Sequence, residues 1–488
     1  MNPSGFIPSG LPRLTSFRRK PESRETDWIP CQARNDLRYP AACSEVVHST
    51  DFQMGKTFRI ITLGCKVNQC ESATLREALV QTGWVPAEKG GSADVNIVNT
   101  CIVTQRASYQ SRQAIRKAIR ENPSALTAAT GCYAQAFPEE LSRIEGLDLV
   151  AGNALKGHLH KVLQDCRKGA PTCLSQTDFN TSLSEEILPL SERTRSFLKI
   201  QDGCDSFCSY CIVPFSRGPL RSLEPLKVIA LLRSLSEEGY KEVVLTGIHL
   251  GKYGVNLSPA ASLKDLLTLI GKERLPLRIR LSSIEPKEVV SELIRMASSE
   301  EWLCRHFHIP LQSGDNDILR RMNRGYTSEE YARLVESIHR QIPLAAIGVD
   351  IMAGFPGEKD KAHRNTYDLV KDLPISYFHV FPFSPRQGTA AWDFKDKVDV
   401  REIKRRAEAL RVLGQKKRES FYRSCVGKTF QVLAEGLDRS GMGMIKGLSD
   451  NYLPVLFPFP REIKNEMLPV RIESVKNMTI LGSVTPIS

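Results

Sequence analysis

Residues 204–211, CDSFCSYC, place Cys204, Cys208 and Cys211 at a C-x3-C-x2-C spacing. In a chain with no secretory pattern such a run reads first as a set of metal ligands. A structural zinc site takes four ligands, usually as two close pairs, and no Cys-x-x-Cys or His pair follows at finger spacing to complete one. A cubane iron–sulfur cluster has four irons to hold, so three cysteines leave one iron with an open position for a small molecule. The competing explanation is coincidence among thirteen cysteines.

Tyr210, directly before the last of these cysteines, completes a run that resembles the radical S-adenosylmethionine (SAM) superfamily, whose clusters bind and reductively cleave SAM at the open iron. A second set of thiols stands upstream. From Lys56 the chain alternates short apolar runs with helical patterns: TFRIITL, a helix through Leu75, Ala78 and Leu79, DVNIVNT, a basic helix near 105–121, and ALTAATG. That β-α-β-α-β order predicts a parallel sheet. Cys65, Cys101 and Cys132 each follow one of the runs at once, and in open parallel sheets ligands bind at the carboxyl ends of strands. The three therefore form a candidate for a second three-cysteine cluster, although any one of them alone reads as a buried core thiol. Cys31, Cys43, Cys166, Cys173, Cys304 and Cys425 share no such pattern and read as structural or incidental.

A barrel-like alternation positions the first triplet. Strands are predicted at 196–201, 242–247, 278–283, 306–311, 346–352 and 376–382, separated by apolar residues at helical spacing such as Val228, Leu231, Leu232 and Leu235. Thr327 and Glu330 spell a capping box at the start of one of these helices. Six β/α units predict an open three-quarter barrel, whose chemistry belongs in the loops at the carboxyl ends of its strands. Cys204, Cys208 and Cys211 follow the first strand. Thr246 and Gly247 open the loop after the second, Ser283 and Glu285 lie after the third, Gln312 and Ser313 after the fourth, and Gly354, Pro356 and Gly357 after the fifth. Glycines there let backbone approach a ligand closely, and the polar side chains suit ribose hydroxyls or the amine and carboxylate of SAM; tight βα turns are the plainer reading.

The chain of 488 residues is too long for one core and suggests about three domains. Its formal net charge of +12 makes a polyanionic partner plausible, no apolar run is long enough for a membrane span, and the odd cysteine count speaks for a reducing compartment, the cytoplasm. The first fifty or so residues carry six prolines with no periodicity and no apolar signal-peptide core. They resemble a translated dispersed DNA repeat, and Met54 is the expected biological start. Near the other end, residues 401–423 hold nine Lys/Arg against three Glu in a helical pattern. From Val426 five short strands follow, broken by Gly, Pro, Asp and Asn, which predicts a small barrel of a kind that often binds oligonucleotides. The basic helix beside it makes RNA the best polyanion, and a structural cap is the alternative.

Together these parts resemble the methylthiotransferase family of radical SAM enzymes over roughly residues 56–488. LGCKVNQ, SSIEP and HVFPFSPRQGT resemble its group acting on N6-threonylcarbamoyladenosine in tRNA, while HIPLQSG leans toward the enzymes acting on isopentenyladenosine. Cys70 stands where that group commonly has tyrosine and is expected to be a bystander.

The resemblance implies an α/β architecture: a leader over 1–55, an amino-terminal parallel α/β cluster domain over 56–170, a linker over 171–192, an open (β/α)6 radical SAM barrel over 193–424 and a small β-barrel, the TRAM RNA-binding domain, over 425–488. It implies two [4Fe-4S] clusters, one held by Cys65, Cys101 and Cys132 and one by Cys204, Cys208 and Cys211, with Tyr210, Thr246, Gly247, Ser283, Glu285 and Gln312 near SAM. One SAM yields a 5′-deoxyadenosyl radical at the second cluster, and another methylates sulfur presented by the first. The partners implied are the tRNA anticodon loop, an electron donor and a sulfur source, both of open identity, and no membrane. Methylthiolation of isopentenyladenosine or of a ribosomal-protein aspartate, and an RNA-docking iron–sulfur electron carrier, are the rival functions.

Overall fold

The structure is a computed structural model that describes residues 55–88, 90–174, 179, 187–190, 193–438 and 443–485. The leader, Met54, Cys31, Cys43 and much of the segment 171–192 lie outside the described residues.

The first layer is a six-stranded, all-parallel sheet in the order Val85–Pro86, Thr57–Thr62, Val95–Thr100, Leu126–Gly131, Leu149–Ala151 and Thr172–Leu174. Every residue of Val95–Thr100 and Leu126–Gly131 is buried, as expected for parallel strands covered on both faces. Ile97, Leu126 and Leu149 pack on one face against Leu75 and Leu79 of the helix Lys66–Gln81. Val98, Ala129 and Val150 pack on the other with Ile115 and Leu141, and Ile212 from the next part of the chain joins them.

The middle of the chain forms an arc of six parallel strands. Arg195–Lys199, Glu242–Thr246 and Arg278–Leu281 pair in register, as do His306–His308, Ala346–Ala353 and Tyr377–Pro382. Parallel bridges Ile279↔Leu303 and Ser283↔His308 join the two halves. Alternate residues, among them Leu198, Val243, Leu245, Ile279, Phe307, Val349 and Phe378, enter one core under the helices. The intervening positions face the lumen and include Phe197 and Val244 but are mostly polar: Lys199, Glu242, Arg278, Arg280, His306, His308, Asp350, Tyr377 and His379. The capping box at Thr327 and Glu330 is present, opening the helix Ser328–Gln341.

The helix Val400–Ser424 is amphipathic. Ile403, Ala407, Leu410 and Leu413 are buried, Gly414 lies against Phe378, and Arg401, Lys404, Arg405, Arg411, Lys416 and Arg423 face solvent. Beyond it, Thr429–Leu437, Ile445–Ser449, Pro454–Phe457, Thr479–Val484 and Lys464–Lys476 close into a five-stranded barrel around Val432, Val455, Phe457, Val470 and Ile472. This closed barrel fits a TRAM domain. Among the described residues no helix is long and apolar enough to cross a membrane.

Candidate metal centres and barrel lumen

Cys65, Cys101 and Cys132 follow three strands that are neighbours in the sheet, so their thiols meet at one edge. Two glycines permit the convergence. Gly64 has φ +95°, and a methyl group on it would lie 2.8 Å from the Cys101 Sγ; Gly131 has φ +98°, and a methyl there would lie 2.5 Å from the Thr100 carbonyl. Ser111 locks the Cys101 backbone, donating to its carbonyl over 3.0 Å and accepting from its amide over 3.1 Å. Burial pushes the Cys101 thiol up to about 12, with the Cys132 and Cys65 thiols adding to the effect. Cys65 presents accessible surface, yet desolvation by the surrounding protein raises its pKa too.

The Cys132 Sγ accepts from the Arg217 Nε over 3.1 Å and from the Asn153 Nδ2 over 3.5 Å. Arg217 ends the short helix Val213–Arg217, which follows Cys211. It is fully buried and pairs with Glu71, donates to the Asn68 Oδ1 over 2.6 Å and reaches Asp202 at 3.4 Å. Lys156 at 2.5 Å and Lys199 at 3.1 Å share the Glu71 carboxylate. Charges this deep persist only in such paired sets. The set ties the cysteine loop of the barrel to the amino-terminal sheet.

Cys204, Cys208 and Cys211 lie in one loop at the carboxyl end of the first barrel strand. The Cys211 amide donates to the Cys208 carbonyl over 2.9 Å, and the Cys204 amide to that of Gly218 over 3.1 Å. Cys204 Sγ lies 3.3 Å from the His249 Nδ1, and the other ring nitrogen lies 2.5 Å from Glu288. Burial alone would raise the Cys204 thiol, but His249 and the Ser206 backbone outweigh it and hold the pKa below its ordinary value. For His249 burial is likewise outweighed, by Cys204 and Glu288, and its pKa rises to about 10. Arg324 donates to the Cys208 Sγ over 3.4 Å and pairs with Glu285. Burial pushes the Cys211 thiol up to about 12.

Each triplet thus offers three thiols, with an N–H group against at least one sulfur, a donor set that would suit an iron–sulfur cluster. Burial disfavours the free thiolate at Cys101 and at Cys211, which metal ligation would relieve.

The remaining expected residues are dispersed in role. Tyr210 is packed edge-on against Phe355 with ring centroids 6.4 Å apart. Thr246 donates to the Leu198 carbonyl within the sheet over 3.2 Å, and Gly247 makes room for Gln201, a methyl there lying 2.9 Å from its Oε1. Ser283 is exposed, Glu285 is held by Arg324, and half-buried Gln312 has φ +64°. Cys70 is buried within the helix Lys66–Gln81. Sequence reasoning passed over Arg217, Glu71, His249 and Arg324, although Arg217 stands six residues after Cys211.

It also passed over the lumen. His308 Nε2 at 3.0 Å and His379 Nδ1 at 3.3 Å both meet one Asp350 oxygen. Glu242 is held between Arg278 at 2.7 Å and Arg280 at 2.8 Å, with Arg195 at 3.8 Å. Arg278 and Arg280 continue to the carbonyls of Leu448, Ser449 and Asp450 in the terminal barrel, and Tyr452 stacks on His306 at 4.3 Å. A surface groove of about 930 Å³ lined by Arg274, Trp302, Arg305 and Phe430 contains none of the six cysteines.

Residues 57–152 match the family described as Uncharacterized protein family UPF0004, and residues 198–370 match the Radical SAM superfamily. The superfamily match carries SAM and a [4Fe-4S] cluster with it. Among curated proteins the chain is 40% identical over 398 residues to the threonylcarbamoyladenosine tRNA methylthiotransferase MtaB of Aquifex aeolicus, covering 81% of this chain and 95% of that one. It is 35% identical to the protein of that name from Bacillus subtilis, covering 84% and 92%. With the tRNA-2-methylthio-N(6)-dimethylallyladenosine synthase of Dictyoglomus thermophilum it shares 32% identity, covering 88% and 98%. The solved radical SAM methyltransferase TsrM of Kitasatospora setae shares the fold, with a TM-score of 0.50 at 16% identity over 70% of this chain and 77% of that one. With both family models matched in order and curated relatives aligned along nearly their whole length, the chain belongs to the methylthiotransferase family of radical SAM enzymes.

Proposed function

We propose that this protein methylthiolates carbon 2 of N6-threonylcarbamoyladenosine beside the anticodon of tRNA, consuming two SAM per turnover. The observation that carries the reading is the pair of three-cysteine sites joined through Arg217 and Cys132. Carbon 2 of adenine bears an unactivated hydrogen that neither a general base nor a positioned nucleophile readily replaces with sulfur. Bound at the two sites, the clusters and SAM supply a 5′-deoxyadenosyl radical and a methylated sulfur. The chain's own residues do the rest. Cys204, Cys208 and Cys211 hold the SAM-binding cluster, and Cys65, Cys101 and Cys132 hold the second.

Arg217 and its partners exclude water and fix the two cysteine loops against each other. The polar lumen receives the base, which can be unstacked at low cost because it lies in a single-stranded loop. The terminal barrel and the exposed basic face of Val400–Ser424 hold the tRNA backbone through salt-sensitive contacts. The electron donor and the sulfur source are separate partners that must reach these sites.

The greater identity to the threonylcarbamoyladenosine enzyme favours that nucleoside over the dimethylallyl one. The test is nucleoside mass spectrometry of tRNA from a host lacking its own methylthiotransferases, with and without this chain expressed. New 2-methylthio-threonylcarbamoyladenosine supports the reading. Methylthiolated isopentenyladenosine in its place keeps the reaction and overturns the substrate, and unchanged tRNA turns attention to a protein substrate.

A further inference from the structure

Of the polar side chains that line the lumen, one is left open to a ligand. Lys199, Glu242, Arg278 and Arg280 are buried and engaged in the ion pairs described above. His306 and His308 share the hydroxyl of Tyr377, at 2.8 and 3.3 Å, and Tyr452 stacks on His306. His379 differs. Its side chain is 51% exposed, against 22% for Asp350 and 13% for His308, while the preceding Phe378 points the other way into the core under the helices. Asp350 stands directly opposite on the paired strand and holds the His379 Nδ1 at 3.3 Å. That contact fixes the ring and leaves Nε2, on its far side, without a hydrogen bond among the described residues.

Two residues further along the same strand face, Phe381 is 40% exposed, and its ring stands edge-on to His379 with centroids 6.4 Å apart. An aromatic face beside a hydrogen-bonding imidazole suits a base that carries a polar substituent. The chain leads from there to the amino-terminal cysteines. The Ser384 Oγ accepts from the Gln105 amide over 2.9 Å and Arg386 donates to the Ser108 Oγ over 3.1 Å, both on the helix that follows Cys101. In adenine, N6 lies on the same edge of the ring as carbon 2, separated from it by N1 and C6. A base stacked on Phe381 with carbon 2 turned toward those cysteines carries its N6 substituent on the His379 side.

We propose that His379 is a specificity residue that donates from Nε2 to the carboxylate of the N6 substituent, with Asp350 as its anchor and Phe381 as the stacking face for the base. The proposal rests on the substrate reading. With a carboxylate on each side, both ring nitrogens are donors. A dimethylallyl group would desolvate Nε2 and offer it no partner, so the ring selects through the cost of the wrong ligand as well as through the contact made with the right one.

The test uses the full chain with reconstituted clusters and three synthetic anticodon stem-loops, carrying threonylcarbamoyladenosine, its methyl ester or isopentenyladenosine. RNA affinity by fluorescence anisotropy and methylthiolation kinetics are both read. The wild type should bind the acid about ten- to hundredfold more tightly than the ester, the scale of a hydrogen bond between charged groups. In His379→Phe the two RNAs should come within about twofold of each other, the limit to which independent effects add. His379→Gln, which keeps a neutral donor, should retain part of the preference. Phe381→Leu should weaken acid and ester alike, by about tenfold, as loss of a stacking face does.

An unchanged acid-to-ester ratio in His379→Phe, or an equal loss on both RNAs, overturns the assignment, and full affinity in Phe381→Leu overturns the stacking face. Should His379→Phe fail to fold or to load iron, the wild-type ratio still decides, because a ratio near one overturns the proposal. A wild type that modifies the isopentenyl RNA and ignores the acid overturns the substrate reading itself, and this inference with it.

Discussion

The guanidinium of Arg217 donates from Nε to the sulfur of Cys132 over 3.1 Å, although the two residues belong to different cysteine motifs. An N–H donor on a ligating thiolate stabilises the reduced cluster and raises its potential. Arg217→Lys keeps a positive charge and removes the planar fork. Its cluster at Cys65, Cys101 and Cys132 is expected to titrate at a lower midpoint potential, followed by electron paramagnetic resonance. A potential equal to that of the wild type would show that the contact is merely structural. Arg217→Met also leaves Glu71 and Asp202 short of a partner and should cost about 3 to 5 kcal/mol.

The two triplets are expected to separate in their phenotypes. Cys208→Ala should abolish 5′-deoxyadenosine formation under reductant while tRNA affinity survives. Cys101→Ala should continue to form 5′-deoxyadenosine and yield no methylthiolated nucleoside. Persistent SAM cleavage in the first variant, or retained product in the second, counts against the respective assignment.

Gly64 offers a finer test of the amino-terminal site. Gly64→Ala puts a methyl 2.8 Å from the Cys101 Sγ at a positive φ, so a strained loop must shift one cysteine. Iron per chain should fall by up to half, with the loss confined to one cluster in Mössbauer spectra. Full iron content would mean that the loop yields without cost.

Glu242 makes a pH-dependent contribution to stability. Burial raises its pKa, but Arg280, Arg278 and Arg195 outweigh that and hold the carboxylate well below its ordinary range. A depressed carboxylate stabilises the fold fully above its unfolded pKa, about 4.3, and loses that contribution as pH falls through the folded value. Glu242→Gln should therefore be less stable by about 3 to 5 kcal/mol at pH 7. In urea unfolding the gap to wild type should stay level down to about pH 5 and narrow below it. A gap that widens on acidification contradicts the assignment.

Much of the architecture was legible because periodicity reports burial directly. The six barrel strands lie where the alternation of strand and helix patterns placed them, and the helix at Gln105–Glu121 and the capping box at Thr327 stand as expected. Strand ends were less legible: 306–311 shortens to His306–His308, because Pro310 has no amide for the ladder, although Ile309 and Leu311 still donate to the Gly348 and Asp350 carbonyls. The helix Val400–Ser424 shows why charge runs mislead, since Arg406 is buried among Glu358, Glu402 and Asp360 while its neighbours face solvent. Polar residues that act across the fold left no periodic trace. Glu71 and Arg217, or His308 and His379, become partners only once distant strands close, and no local rule couples them.

Tyr452 stacks on His306, and Arg278 and Arg280 donate to carbonyls of the terminal barrel. The terminal barrel is therefore also a plug of the radical SAM barrel, not a cassette appended to it. Truncation after Ser424 would uncap two buried guanidiniums and open the lumen from below. Loss of activity in such a fragment would report a broken enzyme core, and chimaeras that exchange this module between relatives must carry the Leu448–Tyr452 turn with them.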